Sequence, residues 1–162
     1  MLISREIEIG ENETAGELHD RLSALGADVL EETLEALKKG ELKPVKQNDA
    51  EFTYAPMLSK ELSPVDWSLS AREVHNKIRG LSPWPSATAK LGGKTVKLLR
   101  SVLTEERGTK PGEIVRADKR LLVACGDLRC IEILQLLSLI HISEPTRLYL
   151  RGNHVETGSL FE

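Results

Sequence analysis

The 162-residue chain is short of aromatic side chains: two Phe, two Tyr and two Trp make up 4% of it. A core must therefore come mainly from Leu, Ile, Val and Ala, which the 40% hydrophobic content can supply. Cysteine is nearly absent. Cys125 and Cys130, the only two, stand close together in an apolar run and read as buried small hydrophobes rather than a disulfide framework, so a reducing cytoplasm is the expected compartment. No apolar run approaches the roughly 20 residues that a membrane helix needs. Met1 leads into the alternating ISREIEI instead of a basic flank and an apolar core, so no signal peptide is expected.

Catalytic motifs are missing too. The chain has no Walker loop, Gly-x-Gly-x-x-Gly, nucleophile elbow or Cys-x-x-Cys pair. His19 and His75 fall on predicted helices beside charged neighbours, and His141 and His154 fall in the tail. None has Cys, His or carboxylate partners at a metal-ligand spacing. The residues alone offer no active site and no metal centre.

Charge is unevenly distributed. Residues 1–69 carry 7 Lys+Arg against 15 Asp+Glu, a net of −8, whereas residues 70–136 carry 13 against 7, a net of +6. The whole chain sums to −3. An acidic front and a basic middle imply two units with different partners. The basic part is either the footprint of a polyanion-binding surface or a Lys-rich solvated face.

The patterns predict the elements. Ile3, Ile7 and Ile9 suggest a short strand. Thr14 and Glu17 have capping-box spacing. Leu18, Leu22, Leu25, Val29, Leu30, Leu34 and Leu37 then mark a helix face interrupted at Gly26, and Lys38-Lys39-Gly40 ends it. Residues 1–40 read as a strand plus two helices, or one helix bent at Gly26. Residues 41–68, with Pro44, Pro56 and Pro64, read as a linker whose Phe52, Tyr54, Met57 and Leu58 are expected to pack against something. Ser70 and Glu73 cap a helix with an Ala71, Val74, Ile78, Leu81 stripe that ends at the Pro83-Trp84-Pro85 step, where Trp84 is expected to anchor the core. Beyond it SATAKL, KTVKLLRSVLT, GEIVRA, LLVACG and CIEILQL read as strands. Gly92-Gly93 and Asp118-Lys119-Arg120 form tight turns. Short strands at that spacing suggest a small β-barrel. Lys90, Lys94, Lys97 and Arg100 surround the Gly92-Gly93 hairpin and Arg79 ends the preceding helix, a set suited to phosphates. Lys94 and Lys97 differ in parity and are expected on different strand faces.

TAGELHDRL, FTYAPMLSKE, VDWS, HNKIRGLSPWP and LLVACGD occur in one order. Together they resemble the back half of the methionyl-tRNA formyltransferase family over roughly residues 1–136. HNKIRGLSPWP is shared with sugar-nucleotide formyltransferases, whereas TYAPMLSKE favours the tRNA enzymes. The resemblance implies an α+β chain: the end of a Rossmann-like α/β formyltransferase domain (1–40), a linker (41–68) and an OB-like β-barrel (69–136), incomplete here. It implies transfer of a formyl group from 10-formyltetrahydrofolate, as co-substrate, to the amino group of methionyl initiator tRNA, in a cytoplasmic protein that is monomeric at full length, with no DNA or membrane partner. With that partner, Lys60, Arg79, Lys90, Lys94, Lys97 and Arg100 are the candidate tRNA-binding residues; the alternative is that they only keep a small barrel soluble. The family's catalytic Asn, His and Asp lie upstream of Met1, so no residue here is assigned a catalytic or folate-binding role, and the fragment alone is expected to be inactive. Two alternatives stand beside this reading: a sugar-nucleotide formyltransferase fragment and a non-enzymatic RNA-binding module. LSLIHISEPTR, Leu137 to Arg147, resembles the in-frame translation of a transposase adapter used in sequencing libraries. Residues 137–162 are accordingly expected to be a non-native tail that leaves an open sheet edge and marginal stability.

Overall fold

Thr14 opens the first helix, α1 (Ala15–Lys39), through a complete capping box in the computed structural model, which describes residues 1–138 and 157–161. The Glu17 N–H donates to Thr14 Oγ1 at 3.3 Å, and the Thr14 N–H donates to Glu17 Oε2 at 2.9 Å. Gly40 ends the helix at φ +70°, its N–H reaching the carbonyls of Ala36 and Leu37. These residues belong to the first of two compact units, Met1–Met57 and Leu58–Glu162.

Two expectations for the first unit are corrected, and of the two readings at Gly26 the single helix is the one that forms. Gly26 costs about 1 kcal/mol relative to Ala in a helix interior, but its Leu, Ala and Glu neighbours favour the helix enough that α1 runs through it unbroken. The strand over residues 1–10 does not form. A strand needs a partner strand for its N–H and C=O groups, and the described backbone pairing of this segment with another extended one is a single exchange, the Met1 ammonium donating to Val45 C=O at 2.6 Å and Val45 N–H to Met1 C=O at 2.8 Å. Arg5, paired with Glu32 at 2.6 Å, ties the segment to α1. Finally, Phe52, Tyr54 and Met57 do not pack: all three are exposed, as are Leu22, Leu30, Leu34 and Leu37 of α1, which buries no residue.

The second unit holds a 3-10 turn (Lys60–Leu62), the helix α2 (Ala71–Gly80) and five strands: β1 (Ala87–Leu91), β2 (Lys94–Arg107), β3 (Ile114–Ala117), β4 (Leu121–Ala124) and β5 (Arg129–Ser138). They form one antiparallel sheet in the order β1-β2-β5-β4-β3. Ser70 and Glu73 supply the capping box of α2. The predicted stripe of Ala71, Val74, Ile78 and Leu81 is buried against Val96, Leu98, Ile131, Ile133 and Leu136. Gly92 and Gly93, at φ +56° and +74°, make the tight turn between β1 and β2 that needs two left-handed residues.

The unit begins earlier than the expected boundary. Ser63, Val65 and Trp67 are buried while Pro64, Asp66 and Ser68 are exposed. This period-two pattern is matched by the exchange of Val65 N–H to Thr88 C=O at 2.9 Å and Thr88 N–H to Ser63 C=O at 2.7 Å. Residues 63–67 therefore run along β1 instead of linking two bodies.

The expected open edge is covered in part. Leu137 and Ser138 belong to β5, opposite Lys97 and Val96. The rest of LSLIHISEPTR lies outside the described residues. Downstream, Leu91 bridges Phe161 and Glu113 bridges Leu160, so one segment touches both edges of the sheet. Ile114 N–H donates to Ser159 C=O, Gly158 N–H to Ile114 C=O and Phe161 N–H to Gly112 C=O, each at 2.8 Å. Phe161, 5% exposed, stacks on Trp67 with ring centroids 5.2 Å apart. Among the described residues, the buried Trp67 indole N–H has no hydrogen-bond partner. Open backbone edges invite pairing, and here residues 157–161 occupy part of both.

Candidate nucleic-acid interface

The β1–β2 hairpin sorts its side chains by alternation. Ala87, Ala89, Leu91, Val96 and Leu98 are buried, which leaves Thr88, Lys90, Thr95 and Lys97 on the outer face. Thr88 lies opposite Lys97 and Lys90 opposite Thr95. Lys90 and Lys97 are therefore diagonal neighbours on one face, a relation that spans about 7–8 Å. Lys94 stands exposed at the turn, across from Leu91. Two residues, Leu99 and Arg100, separate buried Leu98 from buried Ser101, and the register with β5 shifts there. The bulge keeps half-buried Arg100 off the inner face. Lys60 begins the 3-10 turn and is exposed, and Arg79 lies on the last turn of α2, where its Nε–H donates to Asn76 Oδ1 at 2.9 Å. These two come from other elements and share no strand with the hairpin.

From Val74 to Thr104 the chain runs 31 residues without an Asp or Glu, yet carries Lys77, Arg79, Lys90, Lys94, Lys97 and Arg100. The opposite end of the sheet behaves differently. Arg120 donates to Glu106 at 2.6 Å and pairs with Glu132 at 2.8 Å, and Arg129 pairs with Glu105 at 3.3 Å. The two carboxylates push the Arg120 guanidinium above its ordinary range, and Arg120 in turn holds Glu106 below the usual carboxylate range. These arginines are balanced within the fold. The hairpin sequence itself contains no Asp or Glu.

Acid–base chemistry does not converge among the described residues. His75 is fully buried, its Nδ1 lying 2.9 Å from Ser101 Oγ, and it joins α2 to β2. His19 is exposed beside Asp20 at 3.5 Å, and His141 and His154 lie outside the described residues. Both cysteines are free and buried, as expected. Burial pushes the Cys125 thiol up to about 12 and the Cys130 thiol to about 11, so neither is a thiolate near neutrality. The described residues contain no cluster of three or more His, Cys, Asp or Glu suited to a metal, and no helix among them is long and apolar enough to cross a membrane.

Trp84 is not a core anchor. It is 57% exposed, whereas Trp67 is 5% exposed and lies in the core. Pro85, Ser86 and Ala87 turn inward and direct the neighbouring indole outward. The period-two pattern around VDW was the available signal for Trp67. At the same end of α2 a cavity of about 280 Å³ is lined by Leu62, Asn76, Lys77, Gly80 and Leu81.

Residues 57–141 match the model of the formyl transferase C-terminal domain family. The chain belongs to that family. Similar proteins include the methionyl-tRNA formyltransferase of Clostridium novyi (strain NT), 39% identical over 167 residues and covering 100% of this chain and 53% of the relative. That of Geobacter sulfurreducens is 45% identical over 161 residues, covering 98% and 50%. The chain thus spans about half the length of the curated relatives it matches and corresponds to a C-terminal portion. Among solved structures, HypX from Aquifex aeolicus in complex with tetrahydrofolic acid is similar at a TM-score of 0.59 and 27% identity, over 76% of this chain and 22% of that one. The sugar 3N-formyl transferase WlaRD shares the fold alone, at a TM-score of 0.62 and 18% identity, over 82% and 47%. The fold is common to formyl transferases of different substrates, so substrate choice must be argued from the surface.

Proposed function

We propose that the chain is the C-terminal portion of a cytoplasmic methionyl-tRNA formyltransferase. In the whole protein a formyl group passes from 10-formyltetrahydrofolate to the amino group of methionyl initiator tRNA. The second unit is an OB-like barrel that holds the tRNA, and the first is the trailing part of a Rossmann-like domain. The relatives' shared name supports the reaction, and the acid-free hairpin carrying Lys90 and Lys97 on one face supports the partner.

We assign no folate contact to the described residues. The cavity beside α2 offers one amide, one ammonium and no carboxylate or histidine, so no catalytic step is assigned to this chain. Lys90, Lys94, Lys97 and Arg100 act as phosphate neutralisers, with Lys60 and Arg79 flanking them, and they confer affinity without reading bases. A sugar-nucleotide substrate would not need so broad a cationic face.

The test is binding of labelled initiator tRNA to the full chain at several salt concentrations. Each phosphate neutralised on a duplex contributes about −0.9 to the slope of log K against log[salt]. The double variant K90E/K97E is expected to weaken binding and to flatten that slope by about 2. Unchanged affinity and slope would remove the hairpin from the tRNA surface.

A further inference from the structure

We propose that the ground between the tip of β1 and residues 112–114 is a strand-accepting socket, which residues 158–161 fill from within the chain and which the same residues of a second copy can fill instead. The occupant is seated by its backbone. Gly158 N–H donates to Ile114 C=O, Ile114 N–H to Ser159 C=O and Phe161 N–H to Gly112 C=O, each at 2.8 Å. On the other side Phe161 bridges Leu91. One side chain anchors it as well: Phe161 is 5% exposed and joins the core with Trp67, Leu91 and Ile114, whereas Leu160 stays 41% exposed. Main-chain bonds for affinity, with pockets for alternate side chains, are how a sheet edge recognises an extended peptide. Gly112 shapes the socket. At φ +78° a Cβ there would lie 2.7 Å from the Phe161 carbonyl oxygen, so this close approach requires glycine. Gly112 is itself fixed, its N–H donating to Ala124 C=O at 2.9 Å.

The segment is separable from the sheet it covers. Its bridges at Leu160 and Phe161 are isolated ones, outside the five named strands, so it leaves without breaking any strand pairing. Residues 139–156 stand between it and β5. Those 18 residues reach up to about 60 Å when extended. A domain of this size is roughly 34 Å across. A segment on such a tether reaches its own socket or a neighbour's, and the contacts made are identical. Concentration then decides between them. The tether gives the segment an effective concentration on the order of millimolar. Exchange between copies therefore competes only as the protein approaches that level, or when one copy offers an empty socket and another a displaced segment.

The experiment uses the full chain throughout. F161A removes the anchor and leaves the socket open, whereas G112A spoils the socket and leaves the segment intact. A synthetic peptide of residues 156–162, ETGSLFE, is added to F161A. It should raise the melting temperature by about 4 °C once it exceeds its dissociation constant about fourfold. The control ETGSLAE should give no such rise, and ETGSLFE should not rescue F161A/G112A. In sedimentation at micromolar concentration F161A and G112A should each be monomeric. Their mixture should form a dimer, because only the mixture holds both an open socket and a displaced segment. Three results overturn the proposal. One is no shift of F161A with ETGSLFE up to about 5 mM, beyond the effective concentration of the tether. Another is an equal shift with ETGSLAE. The third is a mixture that sediments no differently from the separate variants. Should either variant fail to fold, labelled ETGSLFE is titrated into F161L and followed by anisotropy. Saturable binding that unlabelled ETGSLFE displaces and ETGSLAE does not is the expected result, and its absence overturns the socket.

Discussion

Replacing Phe161 by alanine tests whether residues 157–161 belong to the second unit. The side chain is 5% exposed, stacks on Trp67 at 5.2 Å with the ring planes 29° apart, and follows a backbone bonded to Gly112 and Ile114. Truncating a buried Phe costs about 3–5 kcal/mol, of which the ring pair accounts for about 0.5–1.5. The cavity left would open toward a short segment free to relax, which favours the lower end, about 3 kcal/mol. For a unit of about 105 residues, each kcal/mol lowers the melting temperature by about 4 °C or more. The expected drop is therefore at least about 12 °C. Urea unfolding followed by Trp67 emission, in a W84F background that removes the exposed indole, should give a lower midpoint with an unchanged slope. F161L, which keeps most of the apolar volume, should fall between. A melting temperature for F161A within about 2 °C of the parent would refute the reasoning and detach the segment from the core.

Three further outcomes follow from other contacts. A Cβ on Gly126 would lie 1.7 Å from the Ser68 carbonyl oxygen, so Gly126→Ala must separate the Gly126 N–H from the Leu69 C=O it donates to at 2.7 Å. A loss of at least about 1–3 kcal/mol is expected in urea titration. The Ser70 hydroxyl and N–H hold Glu73 below the usual carboxylate range, and Thr109 does the same for Glu113. A depressed folded value means that protonation opposes folding. The melting temperature should accordingly be flat above the ordinary carboxylate range and decline as pH falls through the lowered values, with a shallower decline in E73Q. Cys125 and Cys130, buried with raised thiol values, should resist maleimide labelling at neutral pH until urea unfolds the chain. Rapid labelling of the folded protein would contradict their placement.

Local chemistry made much of the second unit legible. The Ser70–Glu73 box, the Ala71 to Leu81 stripe and the Gly92-Gly93 turn each depend on residues within a few positions, and each formed as expected. The diagonal of Lys90 and Lys97 was hidden because it depends on the pairing register, which parity within one strand does not give. Arg100 escaped parity altogether through a bulge. Trp84 did not take its expected role: a tryptophan between prolines looks like an anchor, yet it is Trp67, in the alternation through Val65, that is buried. In the first unit, the isoleucine alternation at residues 3–9 had no neighbouring strand to pair with, and a glycine inside a strong helix former's context did not break α1.

Because residues 158–161 bond to positions near 112–114 and 91, covering the sheet's edges joins sites separated by dozens of residues. Hairpins such as β1–β2 can assemble as soon as they leave the ribosome, but the bridges from Leu160 and Phe161 to the sheet's edges wait until residue 161 has been translated. Until then the nascent chain carries a half-dressed apolar interior, the state in which a chaperone would find it.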